Sequence, residues 1–201
     1  MRSENRKERK AEIEACAYDV LAEQGYAGAS MLAIAKRAKA SNETMYRWYG
    51  DKRGLFAALL RENASDVATA LIDQDRVGEP VGHVLKDVGT RLLTLLVSEK
   101  AILLNRAAAA DATGELGVVI GQCGRETVMP LILKLMKRAM VEGWLKTTDA
   151  SEVTETFLSL LVGDWQIRRV IGTLSEVTPK DIEKRANQAY DQFCQLYGAQ
   201  V

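Results

Sequence analysis

Residues 30–56, SMLAIAKRAKASNETMYRWYGDKRGLF, compress two short amphipathic helices and a tight turn into so few positions that little freedom is left in how they pack. Met31, Ile34, Ala35 and Ala38 recur at the spacing of one buried helix face, with Ser30 in front as a capping hydroxyl. Positions 39–42 form the turn. Ser41 caps a second helix whose inner side is Met45, Trp48 and Tyr49. Glu43, Tyr46 and Arg47 then face outward, Gly50 closes the helix in a left-handed conformation, and Asp51 caps the next one, which carries Lys52 in its first turn. The pattern predicts a helix-turn-helix.

A short helix that is apolar inside and polar outside has the outline of a reading head for the DNA major groove, which is about 12 Å wide and admits one helix. Arg47 is the candidate for a base contact, because its planar fork can donate two bonds to a guanine edge. Ser41, Asn42, Thr44, Tyr46 and Lys52 have the donors suited to phosphates, which fix register more than sequence.

The run from Ser30 to Phe56, preceded by a long helix ending in Gly25-Tyr26, resembles the DNA-binding domain of TetR-type transcriptional regulators. Ser30, Ile34 and Ala35 occupy the family's opening Ser or Thr and its Ile-Ala pair. Thr44, Met45, Tyr46, Tyr49, Lys52, Leu55 and Phe56 follow its reading-helix pattern. The resemblance covers roughly the first third of the chain, and it adds Ser30, Lys39, Glu43 and Tyr49 to the candidate DNA contacts. Tyr49 also lies on the inner stripe, where a core role competes. The family favours glycine where this chain has Lys39, so a left-handed backbone there costs about 1–2 kcal/mol unless the turn adjusts or Lys39 meets a phosphate. It also favours glycine where this chain has Glu43. That carboxylate either accepts from a cytosine amino group or pairs at i,i+4 with Arg47 and sets its aim; the pairing is the favoured reading.

The resemblance implies an all-α chain with an N-terminal three-helix helix-turn-helix domain and a C-terminal helical domain for effector binding and dimerisation. On the sequence, the first domain covers 1–56 with a connecting helix to about 73, and the second covers 82–201. The charged stretch 73–82, with its Gly and Pro, marks the boundary. Charge agrees: 1–56 holds 11 Lys and Arg against 8 Asp and Glu, while the chain as a whole balances 27 against 27. Positions 1–8 read as a frayed arm whose Arg2, Arg6 or Lys7 compete as minor-groove contacts. The helix behind the arm runs to about Gln24 with Ile13, Ala17, Val20 and Leu21 inside.

In the body, helical spacing continues through Val84, Leu85, Val88, Leu92, Leu95 and Leu96, then over about 99–110, and again over 131–141 after Pro130. A helix over about 151–171 shows two apolar stripes, one with Val153, Phe157, Leu160, Leu161, Ile167 and Ile171, the other with Leu158, Val162 and Trp165. The last helix, after Pro179, carries Ile182, Ala186, Ala189, Tyr190, Phe193 and Tyr197 on one face. Doubly covered helices suit a four-helix interface, so Phe157, Leu161, Arg168, Ala189 and Phe193 are the candidate homodimer contacts. The resemblance further implies a small-molecule pocket that changes the spacing of the two heads, with the fourth helix as lever. Arg106, Cys123, Asp164 and Trp165 are its candidate lining, although each also has a structural reading, such as a pair between Asp164 and Arg168. His83 reads as a helix-start residue.

Cys16, Cys123 and Cys194 are dispersed, and no spacing suggests a metal or redox motif. Phosphate-cradling loops, nucleophile motifs and clustered metal ligands are missing, so neither an enzyme nor a cofactor is expected. No apolar run nears the roughly 20 residues of a membrane span, and the expectation is a soluble cytoplasmic protein. Its expected partners are double-stranded DNA carrying a palindromic operator, a small-molecule effector and a second copy of the chain. The competing reading is a helical interaction module whose helix-turn-helix is structural only.

Overall fold

The structure is a computed structural model that describes residues 2–73, 78–146 and 149–199. Among them the regular elements are helices: α1 Arg2–Gly28, α2 Met31–Arg37, α3 Asn42–Tyr49, α4 Lys52–Asp73, α5 Val81–Val97, α6 Glu99–Ala109, α7 Glu115–Ile120, α8 Glu126–Val141, α9 Ala150–Val162, α10 Trp165–Ile171 and α11 Pro179–Tyr197. A single antiparallel bridge joins Leu145 to Gly198.

The chain forms two compact units, Met1–Asn63 with Leu103–Gly124, and Ala64–Ile102 with Arg125–Val201. This division differs from the one drawn near 73–82, because residues 103–124 return to the first unit. There Leu104, Ala107, Leu116, Val119 and Cys123 join the cluster built on Ile13, Leu21, Ile34, Met45, Leu55 and Phe56. Their apolar spacing gave no hint of which core they would complete. Residues 74–77 of the 73–82 boundary stretch lie outside the described residues.

In the first unit α1 is already helical at Arg2, so the charged start is helix rather than a frayed arm; Met1 is outside the described residues. Gly25, at φ 66°, kinks α1 before its last turn. Ser30 and Ser41 cap α2 and α3 as expected, accepting from the N–H of Ala33 at 3.1 Å and of Thr44 at 3.0 Å. Asp51 accepts from the Gly54 N–H at 2.7 Å and opens α4.

The second unit has its core around Leu85, Val88, Leu93, Ile132, Met136, Phe157, Leu161 and Phe193. The helix expected over 151–171 is two helices. Gly163, at φ 50° and ψ −129°, ends α9, and α10 starts afresh at Trp165. Arg185 holds the break by donating Nε–H to the Leu161 carbonyl at 3.1 Å. Gln166 and Arg169 then reach carbonyls at the end of α5, Leu96 at 3.2 Å and Val97 at 3.3 Å. With that face of α10 turned to α5, Ile167 and Ile171 are exposed, whereas Val153, Phe157 and Leu161 of the same predicted stripe are buried.

A π-helical turn, Gly121–Arg125, joins α7 to α8 so that Glu115–Val141 runs as one helix of 27 residues. Pro130 sits inside α8 rather than at a fresh start. By length and composition this helix reaches the range of a membrane span, contrary to the expectation from the sequence. Within α8, Val128, Ile132, Leu135, Met136 and Ala139 pack into the second unit's own core.

Candidate nucleic-acid interface

The helix-turn-helix is built on α2, a four-residue turn and α3. Met45 is fully buried and Tyr49 is 7% exposed, which fixes the inner side of α3. The opposite side is left open: Asn42, Glu43, Tyr46 and Arg47 are exposed, and Tyr46 keeps 55% of its surface. Ser41 donates its hydroxyl to Thr44 Oγ1 at 2.9 Å, so the two hydroxyls form one polar corner at the helix start. Glu43 Oε1 lies 3.8 Å from Arg47 Nη1, a loose i,i+4 pair that both side chains make while exposed.

The turn does not adjust to Lys39. This residue has φ 48°, the one positive value among the described non-glycine residues. The Ala40 N–H donates to the Ala35 carbonyl at 2.9 Å and the Lys39 N–H to the Lys36 carbonyl at 3.3 Å. Those two bonds make a Schellman ending to α2 with lysine in the position where glycine is usual. Arg37 fastens α2 to α1 through a forked pair with Glu23, both bonds at 2.6 Å, which holds the Glu23 carboxyl below its ordinary range.

Two sequence candidates leave the outer surface. Tyr49 is packed inward, and burial with the Glu14 charge nearby pushes its phenol well above the ordinary value. Lys52 also turns inward: its amine donates to the Tyr26 carbonyl and lies 3.8 Å from the centre of that ring. Burial lowers its pKa against the pull of Asp111 and Glu115, as expected for an ammonium drawn from water. Ser30, Lys39, Ser41, Asn42, Glu43, Tyr46 and Arg47 stay exposed, with Thr44 half-buried beside them. The sequence reading missed Arg9, which binds the turn, and offered Arg6 only as a minor-groove alternative, whereas its guanidinium lies 5.5 Å from the Trp48 ring centre. Both sit in or next to the charged start, and only helical phase could have placed them.

The candidate effector lining is divided between the two units. Cys123 is buried in the first unit's core and Arg106 is exposed on α6 of that unit, whereas Asp164 and Trp165 belong to the second. Asp164 faces Arg168 at 3.6 Å, the pairing that the sequence offered as its structural alternative. Within the second unit a groove of about 80 Å³ is lined by Leu71, Ile72, Val84, Leu131, Lys134, Leu135 and Arg138. It is smaller than the roughly 300–1,000 Å³ of ordinary ligand sites. Four of the five dimer candidates are also displaced: Phe157, Leu161, Ala189 and Phe193 are each 1% exposed or less, and they fill their own chain's core. Arg168 alone keeps an open side chain.

Residues 14–59 match the N-terminal domain of bacterial regulatory proteins of the tetR family, and residues 83–199 match the C-terminal domain described as AefR-like transcriptional repressor. The chain belongs to the TetR family. Its all-α architecture with an N-terminal helix-turn-helix is the architecture of that family, whose members are regulators and not enzymes. Among individual TetR-type proteins, it is 28% identical over 103 residues to YdeS, an uncharacterised helix-turn-helix transcriptional regulator of Bacillus subtilis (strain 168). That alignment takes in 51% of this chain and 50% of YdeS, so it spans about half the length of the curated relative. A TetR regulator from Agrobacterium tumefaciens superposes with TM-score 0.75 at 26% identity, covering 96% of this chain and 95% of its own. FadR of Bacillus subtilis, solved with stearoyl-CoA, shares the fold with TM-score 0.72 at 15% identity over 91% of this chain and 96% of its own.

Proposed function

We propose that this TetR-family chain is a sequence-specific DNA-binding transcriptional regulator of the cytoplasm, a repressor that grips a palindromic operator as a homodimer and is released by a small-molecule effector. The observation that carries the reading is the outer face of α3, where Glu43, Tyr46 and Arg47 stand exposed while Met45 and Tyr49 lock the inner face. Arg47 reads a guanine, and the Glu43 carboxylate sets the angle of its fork. Ser41, Thr44 and Lys39 bind phosphates. The C-terminal match to a domain described as an AefR-like transcriptional repressor supports repression as the sign.

Ile167 and Ile171, one turn apart on α10 and 56% and 63% exposed, are the proposed dimer contacts in place of the buried stripe. A symmetric pair presents two copies of α3 at a spacing set by the body, and half-sites about 34–36 Å apart admit both. The groove near Lys134 and Arg138 is the proposed starting point of the effector site, widened on binding, with α4 as lever. The stearoyl-CoA held by FadR makes an anionic amphiphile the first class to try.

Selection from random duplexes, followed by salt titration, tests the reading. The expected result is a palindromic consensus with affinity falling steeply with salt, and with Glu43→Ala changing the base preferred opposite Arg47. Binding that shows no duplex preference would leave only the structural interaction module.

A further inference from the structure

We infer that Arg9 is a positioning residue for the reading helix: it clamps the left-handed turn at Lys39 from α1 without itself touching DNA. One nitrogen of its guanidinium, Nη2, donates to the Ala38 carbonyl at 2.7 Å and to the Lys39 carbonyl at 2.9 Å. The other, Nη1, is held by Glu12 at 2.5 Å, on the same helix and three residues on. Both carbonyls belong to the ending of α2 that hands the chain over to α3, and Lys39, which carries the second of them, is the strained residue, at φ 48°.

The reason for the clamp is local. A Schellman ending with glycine holds itself, because glycine enters the left-handed region freely. With lysine the same backbone is disfavoured, and the turn has a competing, relaxed conformation that would swing Ser41 and the start of α3. Arg9 supplies from a distant helix the preference that the missing glycine would have supplied within the turn. Its fork is occupied by two carbonyls and a carboxylate, so Arg9 carries its charge as a brace for the turn. The inference rests on the proposed DNA reading for its consequence, though not for the clamp itself.

The test uses the full chain with Arg9→Ala, Lys39→Gly and the pair, read first without DNA. Amide hydrogen exchange at Ala40, whose N–H closes the turn on Ala35 at 2.9 Å, reports the turn directly. Arg9→Ala is expected to speed that exchange by about 5- to 30-fold, Lys39→Gly to slow it, and the pair to return toward the parent. On the selected operator duplex, Arg9→Ala is expected to lose affinity by a similar factor with its salt slope unchanged, whereas Lys39→Gly, which also removes a proposed phosphate ligand, lowers the slope by about 0.9 both alone and in the pair. Unchanged exchange at Ala40 in Arg9→Ala overturns the clamp. If Arg9→Ala does not fold, Lys39→Gly alone decides: exchange no slower than in the parent overturns it too. A salt slope reduced by about 0.9 with Ala40 undisturbed would make Arg9 a phosphate ligand instead. Exchange that responds as expected, in a protein that selects no duplex, supports the clamp and defeats the DNA reading.

Discussion

A break at Lys39 in the first unit and one at Gly163 in the second each redirect the chain, and the two are built in opposite ways. In the first, the chain turns at Lys39 against its own preference, and an arginine from another helix binds the carbonyls that the turn exposes. In the second, Gly163 adopts φ 50° and ψ −129°, which only glycine enters without strain, and Arg185 binds a carbonyl beside it. A Cβ at Gly163 would stand 2.4 Å from the Arg185 guanidinium. The difference teaches where direction comes from: long-range bonds impose the turn before α3, whereas the residue itself permits the break before α10. The surroundings follow suit, with capped short helices around the first break and a packed aromatic core around the second.

The largest effect expected from this contrast is in that core. Phe193 is fully buried and packs edge-on against Phe157 with ring centres 5.3 Å apart, so Phe193→Ala should cost about 3–5 kcal/mol in denaturant melts. A loss under about 1 kcal/mol would mean that the second unit does not depend on its aromatic packing. Alkaline unfolding compares the units next, since burial raises Tyr18 in the first, alongside Tyr26 and Tyr49, and Tyr190 in the second, with Tyr18 and Tyr190 at about 12. A phenol whose folded pKa lies above its unfolded value of about 10 contributes fully below pH 10 and loses its contribution as pH rises to 12. For Tyr18, hydrogen-bonded by Asn63 at 2.6 Å, that contribution is on the order of 2 kcal/mol, and Tyr18→Phe should flatten the pH 10–12 slope of urea melts by that share.

Gly163→Ala sharpens the comparison of the two breaks. It should cost about 1–3 kcal/mol, mostly from backbone strain because the arginine tip can move aside, whereas Lys39→Gly should raise stability. Thermal melts showing the same sign for both would break the contrast. The smallest effect belongs to the caps: Ser41→Ala should lose about 1 kcal/mol, measured as helix content and melting of the first unit.

The caps at Ser30, Ser41 and Asp51, the inner faces of α2 and α3, and the exposed face with Glu43, Tyr46 and Arg47 were all legible in the sequence. They depend on spacings within a few residues, where one side chain and one backbone group settle the geometry. The Glu43–Arg47 pair, one helical turn apart, was legible for the same reason. The stripe through Phe157 and Ile171 was not, because a helical wheel assumes an unbroken helix and Gly163 resets its phase. Lys52 and the buried dimer candidates went astray by a related route: their residue types fit two environments, and only the neighbours brought in by distant chain choose between them, whereas the core role of Tyr49 was legible in the inner stripe.

The sequence by itself therefore determined the helix-turn-helix, its caps and the residues on its open face, since local hydrogen bonds and apolar periodicity carry their own coordinates. Tertiary structure decided which core residues 103–124 complete, which stripe of α9 and α10 is buried, and that Arg9 reaches across 29 and 30 positions to hold the turn. Those outcomes rest on meetings between groups far apart in the chain, whose separation no periodicity encodes.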